Sequence, residues 1–204
     1  MSFFSKYFGR RHHHPEEWGV ITTAITKNLQ EDRTLFFTAY ADLCFKRPPD
    51  AEQPPIPNTT LAGSADLSIR AFQLVTVTYT IAENRYVPPS QGKDFADILY
   101  AQVCGAQIYD VMKYVRKYDE AVSDRTKMMI ALFSLDLIDY IVGTRTPEPP
   151  YSPLLLDLSF HLRFNTVLTV ANAFNDEVGI RRTQAAREAY LAAQKDLFKS
   201  FDAP

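Results

Sequence analysis

The stretch Leu74–Ile81 has the sequence LVTVTYTI, and its alternation of apolar and polar residues is typical of a half-buried β-strand. A longer window favours a helix. On a helix with 100° per residue, the polar residues after Ala65 share an arc of about 140°, except for Ser68 and Thr78. The residues on this arc are Asp66, Arg70, Gln73, Thr76, Thr80, Glu83 and Asn84. Because a helical period kept over ~20 residues outweighs a short alternation, this stretch is predicted to be helical.

The stretch Leu156–Asn165, LDLSFHLRFN, poses the same choice, and the same test favours a helix. Seven polar residues from Asp157 onward share an arc of about 120°, whereas Ser159 and Arg163 point to another side of the helix. The seven are Asp157, His161, Asn165, Thr169, Asn172, Asn175 and Asp176. With both ambiguous stretches helical, no confident strand is left to build a sheet. The chain is therefore predicted to be all-α.

The chain has 7 glycines and 13 prolines in 204 residues, whereas about 14 glycines are usual at this length. The shortage argues against glycine-rich phosphate-binding loops and hairpin-rich β folds. Three proline clusters, at 48–57, 88–89 and 147–153, mark connections between helices. This segmentation predicts a single-domain bundle of six or seven helices in residues 15–204, with mixed antiparallel and orthogonal packing. Residues 15–46 form either one helix or two.

Two helices of this segmentation have specific predicted features. Asp94 is predicted to cap a central helix that runs to about Lys117. Gly105 is predicted to lie inside this helix, at a close crossing with a neighbouring helix. The last helix, at 177–201, is predicted to cover the core with a mainly alanine face, made of Ala186, Ala189, Ala193, Leu197 and Phe201.

The charge balance is nearly neutral, with 22 basic and 24 acidic side chains and a net charge of −2. Nucleic-acid binding typically needs a clearly basic face, so no nucleic-acid partner is predicted. No run of 18 apolar residues occurs, so no transmembrane helix is predicted. Cys44 and Cys104 are too few for a disulfide scaffold, and reduced thiols indicate a soluble cytoplasmic protein.

No strong catalytic or cofactor-binding motif is present. The sequence lacks GxGxxG, a Walker loop, HExxH, paired CxxC, GxSxG and the ExxH pairs of dimetal bundles. We therefore predict no catalytic residue, no metal ligand and no cofactor, and we favour a protein that is not an enzyme. No resemblance to a known protein family follows from these residues.

Two carboxylates lie inside the apolar stretch Met128–Val142, which is predicted to be a core helix. Asp136 and Asp139 are three residues apart, so on a helix they face the same side and can share a divalent cation. The 15 aspartates of the chain give about one such pair by chance. The two residues either face solvent or belong to a site that binds a ligand or partner.

A polar stripe on the helix around Leu156–Asn165 is the second candidate site. Asp157 and His161 are four residues apart, so the carboxylate can orient the imidazole for general-base chemistry or metal binding. Asn165 continues the stripe towards Asn172. The stripe either lines a groove for a ligand or partner, or is a solvated face with an ion pair.

The first 14 residues are predicted to be a flexible arm that carries aromatic and basic side chains. Aromatic rings next to cations are typical of segments that lie on a membrane surface or on a partner protein. The alternative is that the arm packs on its own domain. The side chains concerned are Phe3, Phe4, Tyr7, Phe8, Arg10 and Arg11.

Three functions are compatible with these features. We favour a non-enzymatic protein–protein interaction module of the adaptor, accessory or inhibitor type, which binds a partner protein or a second copy of itself. The first alternative is a small-ligand-binding or metal-assisted helical-bundle enzyme with its site between helices at about 124–142 and 154–175. The second is a peripheral membrane protein that uses residues 2–11.

Overall fold

The computed structural model describes residues 17–44, 59–122, 126–142 and 151–201. Within these ranges no strand occurs, and the prediction of an all-α bundle is confirmed. The seven α-helices of these ranges are α1 (Trp18–Cys44), α2 (Thr59–Asn84), α3 (Gly92–Cys104), α4 (Ile108–Val122), α5 (Thr126–Val142), α6 (Tyr151–Ala173) and α7 (Glu177–Phe201). Short 3-10 turns precede α3 at Pro89–Gln91 and α4 at Gly105–Gln107.

Helix α2 is at the centre of the bundle and contacts α1, α3, α4, α5 and α6. Its residues 71–77 are all buried, and this run overlaps the stretch LVTVTYTI. Because neighbours surround the helix, both the polar and the apolar positions of the alternation lie inside. The prediction that this stretch is helical is confirmed, whereas the prediction of a central helix at 94–117 is wrong.

Gly105 ends α3, so the helix predicted from Asp94 to Lys117 is in fact two helices. Its φ of +54° belongs to the left-handed region, which glycine adopts without steric cost and which stops a helix. A Cβ placed on Gly105 would meet no other part of the described chain within 4 Å, so no close helix crossing requires the glycine. Asp94 lies in the first turn of α3 and the N-cap is Gln91, so the predicted capping role of Asp94 is wrong.

Helix α1 is continuous from Trp18 to Cys44, which decides between one helix and two. The buried Trp18 indole packs edge-on against Phe95 of α3, with ring centroids 5.4 Å apart. Phe72 of α2 stacks on Phe133 of α5 at 4.2 Å. These aromatic contacts join four helices around the core, and each adds about 1 kcal/mol to the stabilisation from buried area.

Helix α7 packs along α6 with a face that differs from the predicted one. Tyr190 lies on the packed side, with its ring 4.7 Å from that of Phe160. Larger side chains bury more apolar area than alanine, and this difference decides which side of the helix faces α6. The side chains of Leu197 and Phe201 lie outside the described residues. The other members of the predicted face are exposed, so that prediction is wrong for Ala186, Ala189 and Ala193.

Asp176 fixes the turn into α7 by capping the helix. The Gly179 N–H donates to Asp176 Oδ1 at 3.0 Å, and the Tyr86 hydroxyl donates to Oδ2 at 2.6 Å. Burial raises the pKa of Asp176, but these bonds, the Val178 N–H and the charge of Arg182 outweigh burial, and the pKa is lowered below its ordinary value. A Cβ on Gly179 would lie 2.6 Å from Asp176 Oδ2, so glycine is the residue that fits beside this cap.

Candidate functional site

Asp136 lies on the inner side of α5, where it is only 6% exposed. The Tyr118 hydroxyl of α4 donates to its Oδ2 at 2.7 Å, and Lys117 Nζ donates to its Oδ1. Because Tyr118 gives its proton to the carboxylate, Ser68 of α2 donates to the Tyr118 oxygen. The carboxylate therefore has a cation and a buried hydroxyl as partners and does not face solvent. The side chain of Asp139 lies outside the described residues.

Asp157 and His161 lie together on α6, as their spacing predicts, with 3.5 Å between His161 Nε2 and Asp157 Oδ1. Helix α7 covers the pair. Gln194 Nε2 donates to Asp157 Oδ1 at 2.8 Å and to the Tyr190 oxygen at 2.7 Å. Burial, together with the charge of Asp157, raises the pKa of Tyr190 to about 12. The Tyr190 hydroxyl of α7 donates a hydrogen bond to the Asp157 carboxylate of α6, and this bond joins the two helices.

Asn165 and Thr169 belong to a different contact, with Asp32 of α1. Asn165 Nδ2 lies 3.5 Å from Asp32 Oδ1, and Thr169 also bonds this carboxylate. Burial raises the pKa of Asp32, the charge of Glu31 adds to the rise, and the bonds to Thr169 and Asn165 offset part of it. Asn172 is exposed and bonds back to the backbone of its own helix.

The predicted polar stripe of α6 is therefore divided between two neighbouring helices. Because α6 contacts α1, α2, α5 and α7, polar residues on one arc of the helix meet different partners. Between α5 and α6 themselves, Ser134 Oγ donates to Ser159 Oγ at 2.9 Å. Asp136 turns towards α4, and the structure does not bring it together with the Asp157–His161 pair.

A cleft lies between α2, α5 and α6, and two of these helices are those of the first alternative function. Its volume is about 320 Å³, part of which is open to solvent. Val75 and Met129 are almost fully buried and form an apolar wall. We name this cleft the Arg163 cleft, and its lining residues are Val75, Thr76, Tyr79, Thr80, Glu83, Met129 and Arg163.

Arg163 makes no hydrogen bond or ion pair with any residue that the structure describes. Burial lowers the pKa of its guanidinium, and the charge of Glu83 offsets part of this effect. Thr76 is 3% exposed, and its Oγ1 has no hydrogen-bond partner in the described part of the chain. The cleft therefore combines a cation without an ion pair, a carboxylate and a buried hydroxyl.

The sequence around Arg163 carries one signal for an unpaired cation. No acidic residue lies three or four positions from Arg163, so its own helix offers it no ion pair. A partner for Arg163 therefore has to come from another helix or from a ligand.

Helix α5 is apolar around most of its circumference, yet two large apolar side chains are exposed among residues 128–137, the part of α5 whose side chains the structure describes. Phe133 and Leu137 are fully buried on the inner side. On the outer side Met128 is 58% exposed and Leu135 is 56% exposed. Leu132 lies between them and is half-buried. We name this row of two turns the outer face of α5, defined by Met128, Leu132 and Leu135.

Among the described residues, no three His, Cys, Asp or Glu side chains are grouped so that they could hold a metal ion. No described helix is long and apolar enough to span a bilayer. The predicted membrane or partner contact of the arm stays a prediction, because its side chains lie outside the described residues: Phe3, Phe4, Tyr7, Phe8, Arg10 and Arg11.

Comparison of the chain with protein-family models, with curated proteins and with solved structures finds no match in any of the three. The function of the protein is therefore inferred from its own residues.

Proposed function

We propose that this protein is a helical protein–protein interaction module that docks an amphipathic helix of a partner protein on the outer face of α5. The observation that carries the proposal is the exposure of Met128 and Leu135 on a helix whose opposite side is buried in the core. A helix that is apolar on most sides is expected to be covered on most sides. Single exposed apolar residues are ordinary, whereas larger apolar patches mark interaction surfaces, and Met128 and Leu135 lie on the same side of α5.

The outer face has the spacing of a helix-binding ridge. Met128, Leu132 and Leu135 stand at positions i, i+4 and i+7, and such rows pack into the grooves of another helix. The row is about 10.5 Å long at 1.5 Å per residue. It therefore matches two turns of a partner helix whose apolar residues have the same spacing.

A partner helix fits this face better than a second copy of the chain does. A stable interface buries about 800 Å² on each partner, and three partly covered side chains supply only part of that area. A single docked helix needs less area, and the complex is then transient.

The remaining alternatives have different support. We place the module in the cytoplasm because Cys104 is a buried free thiol and the chain has too few cysteines for a disulfide scaffold. The small-ligand alternative is favoured by the Arg163 cleft. Catalysis and the membrane contact of residues 2–11 stay predictions.

Site-specific photo-crosslinking tests the docking proposal. A photoreactive phenylalanine analogue at position 128 or 135 is expected to cross-link the same helical segment of one partner protein in native lysate. The matched control is position 20, because Val20 is 72% exposed but its row continues with the charged Lys27. An analogue at this position is expected to give no stoichiometric product.

Charge placed on the outer face completes the test. Leu135→Glu is expected to abolish the cross-link from position 128, because docking would bury the new carboxylate. Val20→Glu is expected to leave that cross-link intact. Cross-links only between copies of this chain, or equal products from positions 20 and 128, would overturn the proposal.

A further inference from the structure

We infer that the Arg163 cleft binds a small zwitterion, a molecule with one carboxylate and one ammonium group such as a free amino acid. This site is separate from the outer face of α5, and it does not depend on the docking proposal. The inference rests on the pairing of two opposite charges that line one cleft without bonding to each other.

Arg163 supplies the carboxylate-binding group. A guanidinium presents its donors in a planar fork, which matches the two oxygens of a carboxylate. Arg163 uses none of these donors on any described residue, although it lies on a helix in contact with four others. A partly desolvated cation without a partner is unfavourable, and a bound carboxylate removes this cost.

Glu83 decides that the ligand is a zwitterion and not a simple anion. It lines the same cleft and is exposed, so its charge lies at the solvent side. A bare anion on Arg163 would be repelled by this carboxylate. A ligand with an ammonium group matches both charges, because the residues that line the cleft include one cation, Arg163, and one carboxylate, Glu83.

The walls of the cleft set the size and polarity of the ligand. Val75 and Met129 offer apolar surface to the carbon atoms between the two charged groups. The buried Thr76 hydroxyl, which has no partner among the described residues, adds one polar atom beside this wall. The 320 Å³ of the cleft includes space open to solvent, so the volume that its walls enclose is smaller than this figure. The ligand is therefore a small amino acid.

The experiment is an NMR titration of the full-length, ¹⁵N-labelled chain. The probes are glycine, L-alanine and γ-aminobutyrate, with propionate as the carboxylate control, propylamine as the ammonium control, and inorganic phosphate. At least one zwitterion is expected to shift the Arg163 Nε–H signal and the Val75 amide in a saturable way, at millimolar concentration or below. Each single-charge probe is expected to bind at least tenfold more weakly.

Two substitutions assign the charges. Arg163→Gln is expected to abolish saturable binding of the zwitterion. Glu83→Gln is expected to reduce zwitterion binding to the level of propionate, which itself binds more tightly to this variant. The matched controls are Arg181→Gln and Glu188→Gln, on exposed positions of α7, and both are expected to keep the wild-type affinity.

Several results would overturn the inference, and folding is controlled separately. The amide spectrum of Arg163→Gln away from the cleft has to match the wild type, and Leu135→Glu has to bind the zwitterion normally. No saturable shift with any zwitterion, tighter binding of phosphate, or unchanged binding in Arg163→Gln would each reject the site.

Discussion

Asp136 and Arg163 are charged side chains on neighbouring helices of one bundle, and they differ in what neutralises them. Asp136 of α5 bonds Lys117 and Tyr118 of α4. Arg163 of α6 has no ion pair with any described residue and lines a cleft. Removing a charge from water is costly, so an unmatched charge persists only where something else recovers the cost. The partners of a buried charge, more than its burial, therefore separate a structural role from a binding role.

The largest loss of stability is expected when Asp136, the charge with protein partners, is removed. Asp136→Ala leaves the Lys117 ammonium and the buried Tyr118 hydroxyl without their acceptor. Breaking a buried pair typically costs 3–5 kcal/mol, and we expect about 3 kcal/mol because the Lys117 side chain is partly exposed. Urea unfolding at pH 7 measures this change in the free energy of unfolding.

An exposed pair of the same type is the control for Asp136. Asp110 pairs with Lys113 at 3.0 Å on the surface of α4, with more than half of each side chain exposed. Asp110→Ala is expected to cost less than about 1 kcal/mol. If both variants lose the same free energy, the bonds to Lys117 and Tyr118 do not stabilise the fold as described.

The helices could be predicted because their evidence is local and repeated. The polar arc through Arg70 and Thr80 keeps one helical phase for about five turns, and this outweighs the alternation in LVTVTYTI. Gly105 was assigned wrongly because a single glycine fits both a helix crossing and a helix end, and only its φ distinguishes them. The burial of α2 was missed because the number of neighbours around a helix is a tertiary property.

The candidate site was less predictable because its partners are distant in sequence. The spacing of Asp157 and His161 gave their contact correctly. A helical wheel treats α6 alone, so it could not show that Asn165 meets Asp32, 133 residues earlier. Tyr118 is likewise on a different helix from Asp136. The Arg163 cleft combines three helices, and its sequence signal is limited to the lack of a nearby acid in α6.

Arg163→Met tests whether the Arg163 charge contributes to the stability of the fold. We expect the free energy of unfolding to stay within about 1 kcal/mol of the wild type or to increase, because no bond to a described residue is lost and a partly buried charge is removed. Arg70→Met is the control, since Arg70 bonds Asp66 at 2.7 Å and the Val103 carbonyl at 3.0 Å. It is expected to cost about 1.5–3 kcal/mol. Equal costs in urea unfolding would show that Arg163 has a stabilising partner.

The smallest change in the free energy of unfolding is expected for Asp32. Its carboxylate has hydrogen-bond partners, unlike Arg163, but these partners, Asn165 and Thr169, are uncharged, unlike the Lys117 partner of Asp136. Burial raises its pKa in the folded state, so ionisation of Asp32 opposes folding. Its contribution to stability is therefore fully present below the unfolded pKa and is lost as pH rises through the folded pKa. Asp32→Asn removes this loss. We expect the variant to be more stable than the wild type at pH 7, by an amount that shrinks as pH falls through the folded pKa and is gone below about pH 4, the ordinary pKa of an aspartate.

For Asp176 the charge is expected to stabilise the fold and not to destabilise it, because hydrogen-bond donors and the charge of Arg182 surround its carboxylate. Its lowered pKa means that the ionised form favours folding, above the unfolded pKa, and that this stabilisation is lost as pH falls through the folded pKa. Asp176→Asn is therefore expected to be less stable than the wild type at pH 7, with a deficit that also shrinks towards acid. Urea unfolding of both variants between pH 3 and 7 measures the two differences. If both variants differ from the wild type in the same direction at pH 7, the partners of a carboxylate do not decide whether its charge stabilises the fold. Opposite directions extend the contrast between Asp136 and Arg163 to partly buried groups.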